Sequence, residues 1–172
     1  MYDFSTFDNF ITTTVGETIG EGECWDYINL IWNHLGTKYW TYPPDDPTST
    51  NHGVKWGWIL EDVITLNTIE HLTQIPNLND VKRGDIIIIS NGTFGHAGYA
   101  GENYNGSGSL WIYSQNWQGH YVTYDLISMS SFLGAWRYDA WNNIPPTPST
   151  IQKSNFKWVL YARKLRDKRN GM

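Results

Sequence analysis

The chain holds one cysteine, Cys24, and five histidines, at positions 34, 52, 71, 96 and 120. A single thiol can form no intramolecular disulfide and no multi-thiolate metal site, so it is either a small buried hydrophobe or a nucleophile. A nucleophilic thiol needs its thiolate populated, and the exposed N–H groups and dipole of a helix amino terminus favour that form. Apolar residues Cys24, Tyr27, Ile28, Ile31, Trp32 and Leu35 recur at three- and four-residue spacing before Gly36, which predicts a helix over 24–35 with the thiol at its start. The nucleophile also needs a base. His96 begins the strand-like run GHAGYAGE, where Gly95 and Gly98 let backbone or substrate come close. The other four histidines fall near helix ends, in a proline-rich loop or after Gly119, where capping and surface roles explain them.

An imidazole base needs a third group to hold its tautomer. The segment YSQNWQG (113–119) ends the next predicted strand, and a hairpin with the His96 strand brings Ser114, Gln115 and Asn116 beside the imidazole. Strand alternation puts Ser114 and Asn116 on one face and Gln115 on the other, so Asn116 is the expected orienter of a Cys24–His96–Asn116 site. Trp25, Trp117 and Gln115 flank it as the expected substrate-binding residues. Glu17, Glu21 and Glu23 precede the thiol and Asp26 follows it, and so many carboxylates raise a thiol pKa. A bound cation relieves that conflict. Hard oxygen donors on a glycine-containing loop suit Ca²⁺, with Glu17, Glu21 and Asp26 as expected ligands, although acidic residues also favour a helix amino terminus on their own. The thiol chemistry itself requires no cofactor.

These residues must be positioned by a fold, and 172 residues with 16% aromatic and 17% charged side chains are enough for one domain with a real core. A second helix is predicted over 58–72. Short β-branched and aromatic runs separated by glycine and asparagine then predict strands over 85–90, 96–101, 110–115, 120–124 and 157–164. Segments 41–53 and 142–150 are proline-rich loops. The expected architecture is α+β, with amino-terminal helices packed on an antiparallel sheet, in a single domain whose core runs over about 15–165, followed by a basic tail at 166–172.

Charge excludes one class of partner. The formal net charge is −5, and the last ten residues hold five basic side chains against one acid, which leaves the remainder more acidic still. A duplex-binding domain carries a basic stripe instead, so no nucleic-acid partner is expected. No apolar run approaches the ~20 residues of a membrane-spanning helix, so no membrane partner is expected either. The segment MYDFSTFDNFITTT has two aspartates and no basic side chain, and the expectation is a chain without a secretory signal.

Three blocks together resemble the CHAP domain, the cysteine- and histidine-dependent amidohydrolase/peptidase of bacterial and phage cell-wall hydrolases: GECWDYINLIW (22–32), RGDIIII (83–89), and GHAGYAG followed by YSQNWQG. The resemblance implies a papain-like fold, Cys24 as nucleophile, His96 as base and then acid, and the Cys24 N–H as oxyanion donor. It implies hydrolysis of a peptidoglycan amide, at the muramoyl–alanine bond or in stem or cross-bridge peptides, through a thioacyl-enzyme. Some members of the family carry calcium in the loop before the cysteine. Many have Glu-Gln-Asn where Ser114-Gln115-Asn116 stands, so an acidic orienter is replaced by a hydroxyl. A phage tail lysin or an endolysin fits best, resident in the virion or the host cytoplasm until lysis, with peptidoglycan and other virion tail proteins as partners. The competing readings are a catalytically inactive CHAP-fold virion structural or wall-binding protein, and a cysteine peptidase of ordinary proteins.

Overall fold

The computed structural model of the protein describes residues 4–35 and 72–141. Two helices, α1 (Phe4–Thr13) and α2 (Cys24–Leu35), precede six strands: β1 (Leu72–Ile75), β2 (Ile86–Ile89), β3 (His96–Ala100), β4 (Ser109–Gln115), β5 (Val122–Ser128) and β6 (Phe132–Tyr138). They form one antiparallel sheet in the order β1-β6-β2-β3-β4-β5. The fold is α+β, as expected. Short connections between antiparallel neighbours explain the contiguous run from β2 to β5. β6 returns across to insert between β1 and β2, so Arg137 of β6 meets Asp80 and Asp85 ahead of β2.

Both faces of the sheet are buried. β2 is four isoleucines, all buried, which is what a central strand covered on two sides requires. On one face Ile86, Ile88, Ala97, Tyr99, Tyr113 and Trp136 pack with Phe7 and Ile11 of α1 and Trp25, Tyr27 and Ile28 of α2. On the other, Ile87, Ile89, Ala100, Leu110, Ile112, Ile127 and Ala135 form a second cluster, edged by Tyr104 and Trp117. Packing also corrects several boundaries. α1 lies upstream of residue 15, yet Phe7 and Ile11 are in the core. Leu72, expected to close a helix, opens β1 opposite Tyr138. The strand expected over 120–124 runs instead from Val122 to Ser128, because Gly119–Tyr121 form the turn that precedes it. β1 and β6 were not expected. The rest of the helix expected over 58–72, the strand over 157–164, the loops at 41–53 and 142–150, and the basic tail lie outside the described residues.

Polar anchors tie the layers together. Arg83, just before β2, pairs with Asp8 of α1. Asp85, in the RGDIIII block, is fully buried and accepts from Arg137 Nε at 2.8 Å and Nη2 at 2.7 Å, and from the Lys82 N–H at 2.8 Å. The other Arg137 Nη2 bond runs to the Asp80 carbonyl. That block is therefore a structural clasp between the entry to β2 and the carboxyl end of β6.

Candidate active site

Cys24 is the first residue of α2, and the helix packs on β3 and β4. Cys24 is half-buried, and hydrogen bonding from the backbone of Ala97 favours the thiolate. That contact sets the sulfur beside Ala97, whose side chain faces α2, while the His96 side chain, one residue earlier at the start of β3, lies toward the other face with Trp117. The loop before the thiol is held from three directions. Asp26 Oδ2 accepts from the N–H groups of Glu21 and Glu23 at 3.0 and 3.1 Å, closing the start of the helix from within its first turn. Gly20 makes this approach feasible: its φ is +56°, and a Cβ there would sit 2.7 Å from the Asp26 carboxyl carbon. Gly16 and Glu17 exchange backbone bonds with Val122, and Thr18 Oγ1 donates to the His120 carbonyl at 2.7 Å.

Gln115 supplies the third anchor. Expected on the substrate surface, it is instead wholly buried: Oε1 accepts from the Ile19 N–H at 2.7 Å, and Nε2 donates to the carbonyls of Ile19 and Glu23, each at 2.8 Å. Alternation put Gln115 on the face opposite Ser114, and that face is the one α2 covers. Its amide acts as a peptide surrogate bridging the loop to the end of β4. Replacing it with leucine leaves three partly buried backbone groups unpaired, and the expected outcome is a loss of about 2 kcal/mol in urea unfolding. Faster alkylation of Cys24 in the folded variant should accompany it as the loop loosens.

Asn116 is the largest departure from expectation. β4 ends at Gln115, and Asn116 turns to φ +65°, which breaks the alternation that would have placed it with Ser114. Its Nδ2 donates to Glu23 Oε2 at 2.7 Å. The amide therefore braces the residue preceding Cys24, and its hydrogen bond goes to Glu23 instead of His96. Trp25 is likewise corrected: it is 6% exposed, in the helix-side core, and its ring serves packing. Trp117 does lie at the site, with its ring centroid 5.0 Å from that of His96.

Electrostatics differ from a preformed ion pair. Burial pushes the Cys24 thiol up to about 11, the Glu23 charge adds to the rise, and the backbone hydrogen bonds at Ala97, Trp25 and Cys24 oppose it. Burial pulls His96 down to about 4. Desolvation thus outweighs the helix dipole, and the resting pair is neutral thiol and neutral imidazole. The His96 shift also predicts a stability effect. The unfolded imidazole protonates near 6.5 and the folded one near 4, so acidification through that window favours the unfolded chain. The contribution of His96 falls by up to about 3 kcal/mol across it. Comparing urea midpoints of the wild type and His96→Gln at pH 7 and pH 4.5 checks this, because the variant should lose less stability on acidification.

The expected calcium ligands do not converge. Glu17 and Glu21 are exposed, Asp26 Oδ2 is committed to loop N–H groups, and no cluster of three acidic, histidine or cysteine side chains suited to a metal occurs among the described residues. Two residues given no place in the expected site, Glu23 and His120, complete the local picture. Glu23 receives Asn116 on one oxygen, and its other oxygen lies 3.9 Å from His120 Nδ1, which itself is 3.3 Å from the Gly22 carbonyl. On the opposite face of the sheet Ser114 Oγ, His96 Nε2 and Asp125 Oδ2 are buried polar atoms without a hydrogen-bond partner.

The chain matches no family model and no curated protein sequence. Among solved structures it is similar to the wild-type endolysin LysIME-EF1, with a TM-score of 0.59 at 18% identity over 87% of this chain and 67% of that one. It is also similar to Ly7917, with a TM-score of 0.59 at 16% identity over 80% of this chain and 63% of that one. A structure of Ly7917 with the hydrolysing product of MDP gives a TM-score of 0.51 at 20% identity, over 78% of this chain and 62% of that one. The chain therefore spans about two thirds of the length of these proteins, and the likeness at such identities is one of fold.

Proposed function

We propose that the protein is a peptidoglycan hydrolase that cleaves an amide bond with Cys24 as nucleophile and His96 as general base. The observation that carries the reading is the placement of Cys24 as the first residue of α2, a helix packed on β3, the strand that His96 opens. Fold likeness to an endolysin supports the substrate class, as does the neighbour bound to a product of MDP, a muramyl dipeptide.

In this mechanism His96 takes the thiol proton as sulfur attacks the carbonyl carbon, and the Cys24 N–H donates to the developing oxyanion. Collapse breaks the C–N bond, and the imidazolium returns its proton to the leaving amine. Water, deprotonated by His96, then hydrolyses the thioester and regenerates the thiol. No step calls for a metal. Trp117 covers His96 and limits its contact with bulk water. Delivery by a phage, as an endolysin or a virion-mounted lysin, is part of the same proposal. No described helix is long and apolar enough to cross a membrane.

A second reading, a wall-binding protein without turnover, is favoured by the raised thiol pKa and by Ser114 standing in place of an acid. Purified peptidoglycan from several Gram-positive species, incubated with wild type and with Cys24→Ser, separates the two. New ends found by mass spectrometry with wild type alone establish hydrolysis and identify the bond. Retention on the wall by both proteins without new ends supports binding alone.

A further inference from the structure

We propose that Asp125, acting through Ser114, is a positioning residue for His96. The inference rests on the reading of His96 as the base, and it assigns the orienting acid to β5 instead of to the end of β4. Three observations converge on it.

Register places the groups on one face. β4 and β5 pair Ser114 with Thr123 and Ile112 with Asp125, while β3 and β4 pair Tyr99 with Tyr113 and Ala100 with Ile112. Side chains alternate, so His96, Gly98 and Ala100 share a face with Ile112, Ser114, Thr123 and Asp125, the face away from α2. Gly98 opens the space between them. A Cβ at that position would lie 2.8 Å from Ser114 Cβ and 2.5 Å from Ile112 Cγ2, so only glycine lets Ser114 lie against β3 two residues from His96.

Burial supplies the second observation. Ser114 is 0% exposed and His96 6%, and Ser114 Oγ, His96 Nε2 and Asp125 Oδ2 all lack a hydrogen-bond partner among the described residues. Buried polar atoms of native proteins are nearly always paired, directly or through an ordered water. These three are chemically complementary: an imidazole N–H donates, a hydroxyl both accepts and donates, and a carboxylate accepts. None of the three is bonded directly to another, so the proposed relay runs through bridging waters, from His96 Nε2–H by way of Ser114 Oγ to Asp125 Oδ2.

The third observation is direction. Gln118, in the turn after β4, donates from Nε2 to Asp125 Oδ1 at 2.8 Å. That bond ties Asp125 to the turn after β4, at the end of the sheet where β3 begins with His96. Fixing the proton on Nε2 leaves Nδ1 with its lone pair available for the Cys24 proton, the tautomer that a general base requires. The other titratable groups around the start of β3, among the described residues, are Cys24 and Glu23 at the amino end of α2 and His120 in the turn before β5.

Nuclear magnetic resonance of the full chain with ¹⁵N-labelled histidine reads the relay directly. The expected result is a wild-type His96 in the Nε2–H tautomer at pH 7. Asp125→Asn should lower its protonation midpoint by about half a pH unit to one unit, with Ser114→Ala doing the same and the double variant adding nothing further. In hydrolysis Asp125→Asn should lower kcat about tenfold with KM unchanged. Adding Ser114→Glu to Asp125→Asn should restore the rate by placing a carboxylate beside the imidazole. An Nδ1–H tautomer in the wild type overturns the proposal, as does an unchanged midpoint in folded Asp125→Asn or, if that variant does not fold, in Ser114→Ala. The titration needs no substrate. A wild type that leaves peptidoglycan intact would sink the proposed function and leave the relay to be decided by the His96 spectra.

Discussion

Replacing Cys24 with serine or His96 with alanine should each lower the release of new peptidoglycan ends by at least about 10³-fold, and combining them should cost little more. Non-additivity is the informative part, because a thiol without its base and a base without its thiol are both incompetent for the same step. The pH dependence sharpens this. With Cys24 at about 11, the thiolate fraction of the free protein at pH 7 is about one in 10⁴, so iodoacetamide alkylation should be slow and rise about tenfold per pH unit toward that value. A preformed thiolate–imidazolium pair would instead give rapid alkylation, already at a plateau near neutrality. Hydrolysis should behave differently from alkylation, since His96 remains an unprotonated base down to about 4. Its acid limb is expected near that value, provided the fold persists there. Slow alkylation together with efficient hydrolysis is the signature of a thiol deprotonated only during attack. Unimpaired hydrolysis by Cys24→Ser would remove the nucleophile assignment.

How much of this site was legible in the sequence depended on whether a residue's role was set by local or by distant contacts. Helical spacing from Cys24 to Leu35 and the run of isoleucines in β2 are local patterns, and both elements form where the patterns lie. His96 at the start of β3 was equally readable, because Gly95 and Gly98 frame it. Asn116 was misplaced because alternation was carried one residue past the end of β4, where a left-handed backbone rotates the amide toward Glu23. A simple signal existed: asparagine near a following glycine tolerates positive φ better than most residues. Gln115 was assigned to the correct face, but its partners, Ile19 and Glu23, come from a loop more than 90 residues earlier. No spacing rule reaches that far. The thiol pKa failed for a related reason, since dipole and charge can be read from neighbours while desolvation depends on what the fold packs above. Asp125 was passed over because its interest arises only when β5 is paired in register with β4.

Arg137→Ala is expected to cause the largest loss of stability among the single substitutions considered, about 3–5 kcal/mol by urea unfolding. Asp85 is 0% exposed, and its two bonds from Arg137 form a bidentate pair. Burial raises the Asp85 carboxyl from its ordinary range, while Arg137 and the Lys82 N–H pull it back. Truncating the arginine leaves that carboxyl with only the Lys82 N–H, and it also frees the Asp80 carbonyl before β2. Replacing both partners with apolar residues of similar shape, as in Asp85→Leu with Arg137→Met, should cost much less, since no buried charge remains unpaired. The comparison distinguishes a clasp that contributes net energy from one that matters because half of it cannot be removed. The consequence for chemistry is indirect but testable. β2 pairs with β6 on one side and with β3 on the other, Ile89 lying opposite His96. Loosening the β6 side in Arg137→Ala should therefore lower the unfolding midpoint while leaving kcat of the folded fraction within about twofold, because the Cys24 thiol is held by α2 and the Gln115 bridge. A large drop in kcat at full folding would mean that strain at β2 reaches His96, and that the clasp sets the position of the base as well as the stability of the sheet.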